Sequence, residues 1–181
     1  MLIADASRGA GLDLVSTSNV TLNASVTVVG DTSINANDDI TVNAAVVASD
    51  QITVSAGEDG SGSFVLGLSG SLKTTDSESD VVVTTGTDSG NITLSGTTRA
   101  LGQVNMTAAG GSITDGSDGD LAIAGLAEFT AGTSIVLGSG DFNAGSLTFD
   151  SGGSVNLTED SSMLIADASR AAGLDLVSTS N

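Results

Sequence analysis

Residues 20–54 read VTLNASVTVVGDTSINANDDITVNAAVVASDQITV, and they set the rhythm of the whole chain. VTL begins at residue 20, ITV at 40 and ITV again at 52, each an apolar–polar–apolar triplet. The same form returns as LDL at 12, ITL at 92, VNM at 104, LTF at 147, VNL at 155 and LDL at 174. IVL at 135 lacks the polar centre. Most successive spacings are 8, 12, 20 or twice 20 residues. Such alternation buries one face of a short strand and wets the other. The pattern predicts a period near 20 residues, with two similar strands inside each turn.

Composition favours strands throughout. Thr, Val, Ile, Ser and Gly dominate, while the helix formers Glu, Lys, Arg, Gln and Met are scarce. The two best helical candidates, LIADASRGAG (2–11) and LAIAGLAEF (121–129), are short and Ala-rich, and they read as strand or loop. Between residues 52 and 104 the phase slips, across AGEDGSGS (56–63) and TTDSESD (74–80). These read as loops inserted on a regular scaffold.

A period near 20 with short strands and no Pro predicts a parallel β-solenoid. In such a coil each strand bonds its equivalent one turn above, about 4.8 Å away. Pro would delete a bond from that ladder. A thin core also has little room for large rings carrying polar atoms, which suits a chain without Trp or Tyr. The outward positions of the recurrent strand are Thr21, Thr41, Thr53, Thr93, Asn105 and Asn156. Around eight turns make a rod of roughly 40 Å. The rival architecture, an immunoglobulin-like sandwich, requires antiparallel hairpins and usually a large core aromatic.

A second, longer repeat overlies the first. MLIADASRGAGLDLVSTSN (1–19) returns as MLIADASRAAGLDLVSTSN (163–181), changed only from Gly9 to Ala171. Residues 1–162 are thus expected to form one complete super-repeat, and 163–181 the start of the next copy. Met163 is internal, so Met1 need not be a translation start. Neighbouring copies of the unit, continuous or stacked end to end, are the first expected partners.

GNITLSG (90–96), DDITVNA (38–44), GSVNLTED (153–160) and GTSIVLGSG (132–140) resemble filamentous-haemagglutinin-type repeats of giant bacterial surface proteins. The resemblance implies a right-handed parallel β-helix in an extracellular or cell-surface rod. It also implies work as an adhesive or structural fibre that contacts host or cell-surface glycans or proteins.

Twenty-two acidic residues against four basic ones give a net charge of −18. That balance repels nucleic acid, which needs Lys and Arg to displace counterions. No apolar run approaches the length of a membrane span. A chain with no His, Cys, Trp or Tyr also lacks the usual furniture of a catalytic sugar cleft. No enzyme is therefore expected. A carbohydrate-binding or carbohydrate-active β-helix is the alternative, and an ice-binding solenoid with ranked Thr a minor one. For a cofactor, the candidate is calcium at DGSDGD, where Asp115, Asp118 and Asp120 flank small residues. Hard oxygens on a tight turn suit that ion, and a plain hydrophilic turn is the other reading. The sequons at Asn19, Asn23, Asn91, Asn105 and Asn156 read either as glycan acceptors or as by-products of an Asn- and Thr-rich strand pattern.

Overall fold

The computed structural model describes residues 2–3, 6–7 and 10–179. Residues 4–5 and 8–9, inside the LIADASRGAG candidate, lie outside the described residues. Every strand pairing is parallel, which removes the sandwich. The chain winds into a β-solenoid of about eight turns, about 21 residues apart, with no helix among the described residues.

The first five turns carry three strands each, one more than the triplet spacing predicts. Face 1 begins with Leu2–Ile3 and Val20–Leu22 and runs through Ile40–Val42, Phe64–Leu66 and Ile92–Leu94 to Ser154–Glu159 and Gly173–Ser178. Face 2 includes Val26–Val28, Ala45–Ala48, Ser71–Thr74 and Thr97–Ala100. Face 3 includes Leu12–Ser16, Thr32–Ala36, Ile52–Ala56, Val81–Thr85 and Val104–Ala108. The triplets at 12, 52, 104 and 147 lie on face 3, and those at 20, 40, 92, 135 and 155 on face 1. Face 2 escaped the triplet count because SLKT and TTRA turn a polar residue inward, Thr74 and Thr98, where the triplet expects an apolar one.

Near the far end, Asp120–Ala131 and Phe142–Ser151 run unbroken from face 2 to face 3. The first of these contains LAIAGLAEF, so that Ala-rich segment is strand. The two loop insertions lengthen individual turns without breaking any ladder. Ile40 pairs with Phe64 across AGEDGSGS, a turn of 24 residues. Phe64 pairs with Ile92 across TTDSESD, a turn of 28. Extra residues leave at the corners because a strand interior must keep register with both neighbours.

Inward residues stack on their own kind. On face 1 the first inward position is Val20, Ile40, Phe64, Ile92, Ile113, Ile135 and Val155, each at most 1% exposed. On face 3 the central inward residue is Ile34, Val54, Val83, Met106 and Phe129, all fully buried. Phe129 and Phe142 meet edge to face at 6.0 Å between ring centroids, closing the far end of the core where the small strand residues leave most space. Phe129→Ala should lose about 3–5 kcal/mol of unfolding free energy, read as a lower urea midpoint, whereas the outward Thr41→Ala should shift it by about 0.5 kcal/mol or less.

Candidate functional site

A coil built from parallel strands leaves backbone N–H groups exposed at its corners, and each must find an acceptor. Here the acceptors are side chains one turn away. At the corner leading from face 3 to face 1, the Asp39 amide donates to Asn19 Oδ1 (3.0 Å) and the Ser63 amide to Asp39 Oδ1 (2.8 Å). Asn91 N–H then donates to Ser63 Oγ (3.1 Å), and Ser112 N–H to Asn91 Oδ1 (2.8 Å). One polar column therefore climbs four successive turns. At the corner from face 2 to face 3, Asp31 accepts from the Gln51 amide (3.1 Å) and Asp80 from the Gln103 amide (2.6 Å). Two of the sequon asparagines, Asn19 and Asn91, belong to the first column.

Asp115 does the same work at the corner from face 1 to face 2. Its carboxylate accepts the Gly138 amide at 2.7 Å, with longer contacts from Ser139 (3.1 Å) and Gly140 (3.4 Å). Gly138 adopts φ +105, and a Cβ there would meet the Thr158 carbonyl oxygen at 2.3 Å, so only glycine permits this approach. Asp118 is exposed and accepts from Ser117 Oγ at 3.4 Å, while Asp120 opens the next strand. The three carboxylates expected to share a cation are thus spread over a turn and its exit. Among the described residues, no group of three His, Cys, Asp or Glu side chains is arranged to hold a metal.

A concavity of about 680 Å³ lies beneath the 75–80 loop and is lined by Asp31, Asp50, Gln51, Asp76, Glu78 and Asp80. Ser79 fastens that loop: its Oγ donates to the Ser49 carbonyl (2.9 Å), and its own carbonyl accepts from Thr74 Oγ1 (3.0 Å). Glu78, at the tip, has φ 68, the one left-handed non-glycine conformation among the described residues. The bowl is open, acidic and without an aromatic wall. Phe64, Phe129, Phe142 and Phe149 are all in the core, so none offers a sugar a stacking platform.

A further acidic element was not anticipated. Face 2 ends at Phe142–Ser151, where carboxylates stand in for a missing strand. Asp160 Oδ2 accepts the Phe142 amide and Glu159 Oε1 the Ala144 amide, each at 3.0 Å. TED (158–160) thereby folds back over the face 2 edge and caps it with charge. Glu159 is 1% exposed, and Ser161 Oγ also donates to its Oε1 at 3.0 Å. The signal was available: Val155, Leu157 and Glu159 share one parity, so the charge falls at an inward position. Beyond this cap, Arg170 Nε donates to Asp150 Oδ1 at 3.2 Å. That hydrogen bond, and secondarily the charge attraction, raises the guanidinium further above its ordinary value.

No family model, curated protein or solved structure matches the chain.

Asp115→Ala should cost about 1–3 kcal/mol, because it unpairs backbone donors held by a charged acceptor, and Asp118→Ala should be near neutral; chemical denaturation of both variants makes the comparison. Glu78→Gly should raise stability by about 0.5–1 kcal/mol, since a left-handed backbone penalises any Cβ, and a lower denaturation midpoint would show that the Glu78 side chain holds the loop.

Proposed function

We propose that the chain is a structural segment of a surface fibre: a rigid rod that sets distance and presents its faces to partners. The observation that carries this reading is the use made of polar side chains. Carboxylates and amides that could serve a reaction instead close the backbone at the corners, turn after turn. What remains exposed is an acidic surface on a regular scaffold. The filamentous-haemagglutinin resemblance supports placing this rod outside a bacterial cell, with host or cell-surface glycans and proteins as its contacts and further copies of itself as neighbours. The 162-residue repeat gives such a fibre its unit of length.

A protein carrying one, two and three consecutive copies should appear by electron microscopy as an unbranched rod. It should lengthen by about 35 Å per copy, given seven to eight turns at the inter-strand spacing. Compact particles whose diameter grows in all directions would reject the rod.

A further inference from the structure

The two copies of LDLVS have the same sequence but lie on different faces. Leu12–Ser16 lies on face 3, where its neighbour is Thr32–Ala36. The equivalent residues 174–178 lie on face 1, where their neighbour is Ser154–Glu159. From Leu14 the chain makes six turns down face 3 to Phe149, crosses to Leu157 on face 1, and reaches Leu176 one turn later. The two LDLVS strands are thus separated by seven full turns and one further face. The preceding residues differ as well: Leu2–Ile3 lies on face 1, whereas Ile165 bridges Leu147 on face 3.

The two placements also use opposite edges of the same strand. Leu12 donates its amide to Asp31 O in the coil that follows it (2.9 Å). Thr179, the counterpart of residue 17, donates to Glu159 O in the coil that precedes it (2.9 Å). Alternate residues of a strand point their amides to opposite sides, so positions 12, 14 and 16 face one edge and position 17 the other. In Gly173–Ser178 the first of these edges has no strand beside it among the described residues. One LDLVS strand can therefore hold both neighbours at once.

We propose that copies of this unit join end to end by strand exchange, a deduction that rests on the rod reading above. Residues 174–178 of one copy lie against Thr32–Ala36 of the next, in the place otherwise taken by that copy's own Leu12–Ser16. The exchange is nearly isoenergetic in its contacts because the strands are identical, which is the condition that favours domain swapping. Leu174, 58% exposed, then acquires the half-buried setting of Leu12. Because face 1 of one copy continues as face 3 of the next, each copy is turned about the rod axis by one third of a turn. The acidic 75–80 loops then follow a threefold screw, returning to the same side with every third copy. A covalently continuous array makes the same join with the same rotation. The carboxylate cap of Glu159 and Asp160 leaves face 2 out of the joint.

Cysteine pairs in the full chain, under mild oxidation, test both parts. Adjacent strands bring Cα atoms within disulfide range. Within one chain, N156C with D175C should close and T148C with D175C should not, because Asn156 is the face 1 partner of Asp175 and Thr148 occupies the matching position on face 3. Between chains, S33C mixed with D175C should give a disulfide-linked dimer that rises with concentration. Its yield should exceed that of T53C with D175C about tenfold, since only Ser33 takes the register seen with Asp13. Closure of T148C with D175C in preference to N156C would overturn the rotation. An S33C–D175C yield no higher than the T53C control at every concentration would overturn the exchange. Either result leaves the length increment per copy, and with it the rod reading, to stand or fall separately.

Discussion

The in-register parallel ladder is the constraint on which this structure depends. Every interior strand must satisfy its backbone against the coil before and the coil after it, so extra residues are placed at corners. The register shift between Ile123 and Leu126 likewise falls where Asp120–Ala131 passes from face 2 to face 3. The insertions at AGEDGSGS and TTDSESD obey this rule by leaving at corners, and the flanking pairs Ile40 with Phe64 and Phe64 with Ile92 stay aligned. The same rule explains the core. A residue that stacks on its equivalent one turn away prefers a neighbour of similar shape, and Val, Ile and Leu repeat along face 1 accordingly.

The ladder also accounts for the charge. Corners cannot be paired strand to strand, so Asp and Asn supply acceptors for the amides of the next coil. Asp31, Asp39, Asp80, Asp115, Glu159 and Asp160 are each accounted for by such a backbone amide. At the end of face 2 the principle extends to a whole strand edge, where Glu159 and Asp160 occupy donors that would otherwise recruit another strand. At this end face 2 is closed by carboxylates, and the outer edge of Gly173–Ser178 on face 1 has no strand beside it among the described residues.

The alternating triplets made the β-solenoid, its period and its inserted loops legible from residues alone, because side-chain burial in a strand is a local, two-residue property. LAIAGLAEF also read correctly, since its neighbours offered no helix signals. The third face was hidden: SLKT and TTRA bury Thr74 and Thr98 and so break the triplet form. The candidate site was less legible. Asp115 stood out as a loop carboxylate, yet its use depends on Gly138 and its neighbours, 23 and more residues away. The cap formed by TED depends likewise on distant partners, the amides of Phe142 and Ala144, 18 and 15 residues away.

MLIADAS and LDLVSTSN show where sequence stops deciding. Sequence determined that residues 12–16 and 174–178 would each be strands with Leu14 and Leu176 turned inward, because alternation fixes which side is apolar. It could not determine the face, since all three faces offer the same parallel edge. Only the accumulated lengths of the intervening turns, set by loops and corners between residues 20 and 159, carry the second copy to face 1. Local pattern chooses the strand, and the closed path of the coil chooses its neighbour.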